Sequence, residues 1–226
     1  YAVLYKRGEG IMRGIIYKDL YDNFLIWKNL ASYLFGVAAI LVSVVLLPDS
    51  EYYFILLILM LNFIGSCAME ASVEQDDASN FNRLLISFPV TKKEIVIARY
   101  ILALIFIAVS NLLGLGITVI HVLIGGALGF REAFSIWLLG LCVSLIFAGI
   151  SYIGYISFGK RKGTWLFIFL VVVIATGYGS MSAIYGIEQF VQMDKTLLLC
   201  AGFPVSVLVF ALSCMISIEI YKRKFF

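Results

Sequence analysis

Six stretches of the sequence contain no Asp, Glu, Lys or Arg, and they limit the fold more than any other feature. They run over residues 29–48, 52–69, 100–130, 133–159, 163–187 and 196–218. A helix needs roughly 20 apolar residues to cross a ~30 Å hydrocarbon core, and each stretch reaches or approaches that length. The whole chain is 62% hydrophobic and only 14% charged, which leaves too little polar surface for a soluble domain. The sequence also lacks the short alternating segments of a membrane β-barrel.

The predicted fold is therefore an all-α integral membrane protein with six transmembrane helices in one domain, residues 12–226. The predicted spans are TM1 29–48, TM2 52–70, TM3 92–124, TM4 132–158, TM5 163–187 and TM6 196–220. Residues 1–11 do not look like a natural beginning, whereas Met12-Arg13-Gly14 is typical of one. We interpret residues 1–11 as an artificial or upstream extension.

The distribution of Lys and Arg predicts the orientation, because basic residues are retained on the cytoplasmic side of a membrane. With the amino terminus inside, 15 of the 17 Lys and Arg residues fall in cytoplasmic segments, and only Arg131 and Lys195 lie outside. Both termini are therefore predicted to be cytoplasmic. The formal net charge of +3 reflects this topology and does not indicate nucleic-acid binding. The basic turn Lys160-Arg161-Lys162 follows the same rule and is a candidate for contact with anionic membrane lipids.

An amphipathic helix is predicted over residues 12–27, at the cytoplasmic interface of the membrane and leading into TM1. Its apolar residues recur at helical spacing, at Ile16, Leu20, Phe24 and Trp27, with Lys18, Asp19 and Asp22 on the opposite face. Such a helix either anchors the first span at a fixed depth or takes part in gating, and the two roles are compatible.

The one dense polar stretch, residues 72–100, separates TM2 from TM3 and must lie outside the lipid. Ser72 with Gln75, and Thr91 with Glu94, have the spacing of capping boxes, which predicts a helix beginning after each. Between them, apolar residues fall at helical positions i, i+3, i+4 and i+7, at Phe81, Leu84, Leu85 and Phe88. Pro89 ends this helix. The predicted helix 74–88 is either a connector on the surface or a docking helix for a partner.

Two segments, MRGIIYKDL from Met12 and NRLLISFPVTKKEIVIARY from Asn82, resemble the membrane subunits of ABC-2-type exporters. These are small six-helix permeases, and within this family the chain is similar to the permeases of phenol-soluble-modulin and antimicrobial-peptide exporters. The resemblance covers the amino-terminal 90 or so residues, and the remainder matches in its pattern of spans.

This resemblance implies a multi-pass protein of the bacterial plasma membrane, assembled as two permeases with two cytoplasmic ABC ATPase subunits. The helix 74–88 would then be the coupling helix that contacts the ATPase. Its candidate contact residues are Glu74, Asp76, Asp77, Phe81, Arg83, Leu84, Leu85 and Phe88. The implied cargo is hydrophobic or amphipathic, with a toxin or antimicrobial peptide as the leading class.

No catalytic, cofactor-binding or metal-binding residue is predicted. Gly154 to Lys160 approaches the spacing of a phosphate-binding loop, but Arg161 follows where Ser or Thr is required and a predicted span precedes it. ATP and Mg²⁺ are therefore expected on the partner chain. Two alternatives remain open at this stage: a secondary transporter or channel without an ATPase, and a membrane scaffold or immunity protein.

Overall fold

The computed structural model describes residues 2–46, 50–66, 68–79, 81, 91–186, 189, 191 and 194–224, and within these ranges the chain is helical with no strand. Side-chain positions are described from Arg13 onward, apart from a few residues inside the helices. The helices are α1 Ala2–Phe24, α2 Trp27–Leu46, α3 Glu51–Ser66, α4 Ala68–Ser79, α5 Lys92–Leu123, α6 Phe130–Tyr185 and α7 Thr196–Lys224.

Among the described residues, three helices are long and apolar enough to cross a membrane, namely α5, α6 and α7. A fourth is added if Arg13–Phe24 and Trp27–Ser43, which meet at a bend of 64°, count as one span. The most apolar window of α7 is only 11% buried. So large an exposed apolar surface is unfavourable in water and fits a membrane protein. The count of six spans and the orientation stay predictions.

The helix α6 folds back on itself at Gly159, whose backbone has φ 74° and ψ −173°. The rings of Phe147 and Phe167 lie 5.2 Å apart, although 20 residues of straight helix would separate them by about 30 Å. Farther along the returning arm, the Tyr178 hydroxyl donates to the carbonyl of Tyr52 in α3 at 2.9 Å. We call the two antiparallel arms α6a, residues 130–158, and α6b, residues 160–185; they correspond closely to predicted TM4 and TM5.

The helix α5 packs centrally against α6a and α7. The ring of Tyr100 meets those of Tyr152 and Phe210 edge-on, each at 5.3 Å. Its hydroxyl is hydrogen-bonded to Ser213 at 2.5 Å and to Ser217 at 2.8 Å. Small side chains at such a contact let two helix backbones approach closely. This packing places the first turns of α5 against the end of α7.

The capping box at Thr91 and Glu94 is confirmed at the start of α5. The Glu94 amide donates to Thr91 Oγ1 at 3.3 Å, and the Thr91 amide donates to Glu94 Oε2 at 2.8 Å. These bonds satisfy two backbone donors that a helix start leaves without an intrahelical partner.

Replacing Thr91 with Ala is expected to cost about 1 kcal/mol of folding free energy, because the side-chain acceptor of the cap is lost. The measurement is the unfolding equilibrium of the purified protein in mixed detergent micelles. Thr176→Ala is the matched control, since Thr176 lies in mid-helix and bonds only to carbonyls one turn earlier. Equal losses in the two variants would contradict a capping role.

The predicted cap at Ser72 is wrong. The helix α4 already begins at Ala68, and Ser72 lies inside it, fully buried. Its hydroxyl accepts a hydrogen bond from Asn23 Nδ2 at 3.2 Å. The side chain therefore forms a contact with α1 instead of capping a helix, because its hydroxyl is bonded to the buried Asn23. The predicted helix 74–88 overlaps α4 as far as Ser79, and its residues 82–88 lie outside the described part of the chain.

The structure also decides which face of the predicted amphipathic helix is buried. The structure buries Ile15, Asp19 and Asn23, whereas Tyr17 and Tyr21 are 73% and 57% exposed. The acidic face of α1 thus points into the bundle and an aromatic face points out. Buried carboxylates are tolerated only with charged or hydrogen-bonding partners, and the bundle supplies both, as described next.

Candidate functional site

Five charged side chains meet where α1, α4 and α5 pack together, and we call them the charge cluster. Its members are Lys18, Asp19 and Asp22 from α1, Asp76 from α4 and Arg99 from α5. Asp76 is 1% exposed and Arg99 is 7% exposed. Removing charges from water is costly unless they are paired, so this arrangement requires its internal ion pairs.

Asp76 is the centre of the cluster. One of its oxygens, Oδ2, accepts from Arg99 Nη2 at 2.5 Å, and the other forms an ion pair with Lys18. The Lys18 ammonium also lies 2.9 Å from Asp22 Oδ2 and 3.3 Å from Asp19 Oδ1. A single carboxylate on α4 is thereby bonded to both α1 and α5. Any displacement of α4 must carry those helices with it or break a buried ion pair.

Neutral hydrogen bonds extend this contact. Asn23 Nδ2 donates to the Asp19 carbonyl at 2.8 Å as well as to Ser72. The Tyr33 hydroxyl donates to Asn23 Oδ1 at 2.7 Å. The amide of Asn23 thus connects α1 with α2 and α4. Because every group in this set has a partner, the polar contact is compatible with full burial.

The exposed side of α4 forms weaker contacts. Glu74 Oε1 lies 3.5 Å from Lys28 Nζ and 3.7 Å from Lys160 Nζ. The Thr164 hydroxyl donates to Glu70 Oε1 at 3.2 Å. These pairs link α4 to α2 and to the turn of α6. Ion pairs in this half-exposed setting contribute at most about 1 kcal/mol each.

The structure places the predicted contact residues in three kinds of position: partly exposed, buried, and not described. Glu74 is half-exposed, while Asp76 is buried in the charge cluster, so we no longer expect its carboxylate to touch a partner. Phe81 is half-buried, with its ring centroid 4.5 Å from Lys18 Nζ. Asp77 lies in α4, but its side chain is not described, and the remaining residues lie outside the described part of the chain: Arg83, Leu84, Leu85 and Phe88. A contact role for these residues stays a prediction.

The charge cluster itself was missed in the sequence. The available signal was Arg99, which lies inside predicted TM3 instead of at its edge. An ionisable residue within a span usually faces protein and has a partner. No sequence rule names that partner, because Asp76 is 23 residues away along the chain.

No metal site is found among the described residues, where no group of three or more His, Cys, Asp or Glu side chains could hold an ion. The three carboxylates of the charge cluster are instead ion-paired with Lys18 and Arg99. The arrangement can therefore hold α1, α4 and α5 together and transmit their displacement.

A family model described as "ABC-2 family transporter protein" matches residues 14–222, which is nearly the whole chain. No curated protein sequence matches this chain. The matched residues include every member of the charge cluster and both arms of α6.

Proposed function

We propose that the chain, which belongs to the ABC-2 transporter family, is the permease subunit of an ATP-driven exporter. A separate ABC ATPase supplies the energy, and two permease chains assemble with two ATPase chains. The permease crosses the bacterial plasma membrane six times with both termini in the cytoplasm. The family match over residues 14–222 is the observation that carries this proposal.

The charge cluster provides a route for mechanical coupling in such a permease. The proposed coupling segment, residues 74–88, begins within α4 and includes Asp76. Movement of this segment under an ATPase would act on Arg99 of α5 and Lys18 of α1 through the same carboxylate. Two discrete arrangements of helices joined in this way are what alternating access requires.

The cargo we propose is a hydrophobic or amphipathic peptide. The resemblance to phenol-soluble-modulin and antimicrobial-peptide permeases favours this class. The paucity of charge within the apolar stretches agrees with it, because a pathway for an ionic solute would need polar or charged partners at membrane depth. Peptide export and a role in toxin secretion or self-protection rest on the resemblance alone.

Co-purification tests the proposed docking. The tagged permease is expected to retain its ATPase partner, and the variant Phe81→Asp/Leu84→Asp is expected to lose it, since two carboxylates would enter an apolar contact. The control is Phe81→Leu/Leu84→Met, which keeps the surface apolar. Both variants must retain the thermal midpoint of the parent. An ATPase that stays bound to the carboxylate variant would contradict docking at this helix.

Reconstitution tests the function itself. With both subunits in liposomes, ATP hydrolysis is expected to rise when an amphipathic helical peptide is added, and the peptide should accumulate on the side opposite to the ATPase. A scaffold would leave both measurements unchanged. Peptide movement that persists without ATP would favour a secondary transporter or channel.

A further inference from the structure

Three separate parts of the chain bring cations to one end of the helix bundle. They are the start of α5, the turn of α6 and the end of α7, and we call this surface the basic platform. Its members are Lys92, Lys93, Lys160, Arg161, Lys162, Lys222, Arg223 and Lys224.

Hydrogen bonds to main-chain carbonyls join these three parts. Lys92 Nζ donates to the Lys222 carbonyl at 3.4 Å. Lys224 Nζ donates to the carbonyls of Ile156 and Ser157, at 3.2 and 3.3 Å, next to the turn of α6. The distribution of Lys and Arg predicts these cations on one side of the membrane, and tertiary packing brings the three parts into contact.

The carboxylates nearby are too few to neutralise the basic platform. Glu219 pairs with Arg223 at 3.2 Å, Glu74 approaches Lys160 at 3.7 Å, and Glu94 is engaged in the cap of α5. Arg161 and Lys162 are exposed and form no ion pair with the described residues. Cations gathered at this density repel one another, and a bound anion relieves the repulsion.

The apolar surface beside the basic platform indicates which anion. Phe158 and Trp165, on either side of the turn, are 58% and 68% exposed. Beyond Trp165, the outer face of α6b continues with exposed Ile168, Phe169 and Val172, at helical spacing. An acyl chain lying along this face would place its headgroup beside Lys162 and Arg161. Trp at such a position is typical of the membrane interface.

We propose that the basic platform is a binding site for an anionic phospholipid, with Arg161 and Lys162 holding the phosphate and the face of α6b from Trp165 to Val172 holding an acyl chain. The lipid would neutralise the turn at Gly159 and hold the two arms of α6 at a fixed depth in the membrane. This site is distinct from the charge cluster and does not require an ATPase.

Quenching of Trp165 by brominated lipid tests the site. The protein with Trp27→Phe is placed in phosphatidylcholine vesicles that contain equal fractions of brominated phosphatidylglycerol or brominated phosphatidylcholine. Subtracting the signal of Trp27→Phe/Trp165→Phe isolates Trp165. From the quenching of Trp165 we expect a binding constant for phosphatidylglycerol that is several-fold above the constant for phosphatidylcholine. Arg161→Gln/Lys162→Gln should bring this ratio close to one, because each cation near an anionic headgroup contributes about 1 kcal/mol, or about fivefold.

The matched control is Arg13→Gln/Lys28→Gln, which removes two exposed cations from α1 and α2 and should leave the preference of Trp165 intact. A second pair, Lys93→Gln/Lys222→Gln, should reduce the preference if the first variant fails to fold. Equal quenching by the two lipids in the parent protein would overturn the proposal. An unchanged lipid preference in Arg161→Gln/Lys162→Gln would also overturn it. If that variant kept the lipid preference but lost a bound ATPase, the basic platform would be a binding site for protein.

Discussion

The Asp76→Asn variant is expected to lose about 3–5 kcal/mol of folding free energy. The change leaves Arg99, which is 7% exposed, without its carboxylate at 2.5 Å. Removing one member of a buried pair leaves an uncompensated charge in a medium of low dielectric constant, which costs more than the pair itself contributes. Lys18 is affected less, since Asp22 and Asp19 remain within reach of its ammonium.

The free energy of unfolding in mixed detergent micelles is the measurement for this variant. Glu74→Gln is the matched control: it removes an acidic side chain two residues earlier on the same helix, but its ion pairs at 3.5 and 3.7 Å are half-exposed. It should lose no more than about 1 kcal/mol. Equal losses for Asp76→Asn and Glu74→Gln would contradict the burial of Asp76.

The double variant Asp76→Asn/Arg99→Met separates the ion pair from other effects. Arg99→Met removes the guanidinium that Asp76→Asn leaves without its carboxylate, so the double variant should be more stable than Asp76→Asn alone. Additive losses would mean that the two side chains do not interact. In a reconstituted transporter, a double variant that folds and still binds its ATPase should transport less per ATP hydrolysed, because α4 and α5 are no longer joined by this bond.

Gly163→Ala is expected to cost about 1–3 kcal/mol by overpacking the α6 hairpin. A Cβ at this position would lie 2.5 Å from Cδ1 of the Tyr155 ring and 3.0 Å from Tyr155 Cα. Backbone cannot yield as the end of a flexible side chain can, and Tyr155 is itself buried. The two arms would have to move apart near the turn.

The control for the hairpin is Gly177→Ala, also in α6b, where an added Cβ would meet no atom within 4 Å. Alanine has the higher helix propensity, so this variant should be as stable as the parent protein or slightly more so. The midpoint of thermal unfolding in detergent compares the two. If Gly163→Ala matched Gly177→Ala, the arms would not be in the close contact seen at Tyr155.

Local interactions explain what could be predicted from the sequence. The capping box of Thr91 and Glu94 joins residues three apart, so its spacing alone predicts where α5 begins. The uncharged stretches likewise predict apolar helices, and α5, Lys92–Leu123, agrees with predicted TM3 within one residue. Gly159, inside the basic turn, marks the break between two predicted spans that the structure joins as one folded-back helix.

The same local rules failed wherever a distant partner was involved. Ser72 and Gln75 have the spacing of a capping box, but the Ser72 hydroxyl accepts a hydrogen bond from Asn23 of α1 inside the bundle. Asp19 and Asp22 were predicted opposite the apolar face of an amphipathic helix, with nothing to show that the bundle buries both. Hydropathy could not reveal that Lys18, which pairs with both of them, also pairs with Asp76 of α4, because periodicity describes one helix at a time.

The sequence by itself determined that this chain is helical, where its apolar helices lie and which family of transporters it belongs to, because these depend on composition, short-range spacing and a match along the chain. Only the tertiary structure decided which face of α1 is buried, that Asp76 joins α4 to α1 and α5, and that the basic end of α7 contacts both the start of α5 and the turn of α6. Those outcomes depend on charges brought together from distant parts of the chain. A buried charge is stable only opposite its partner, and packing alone determines which partner that is.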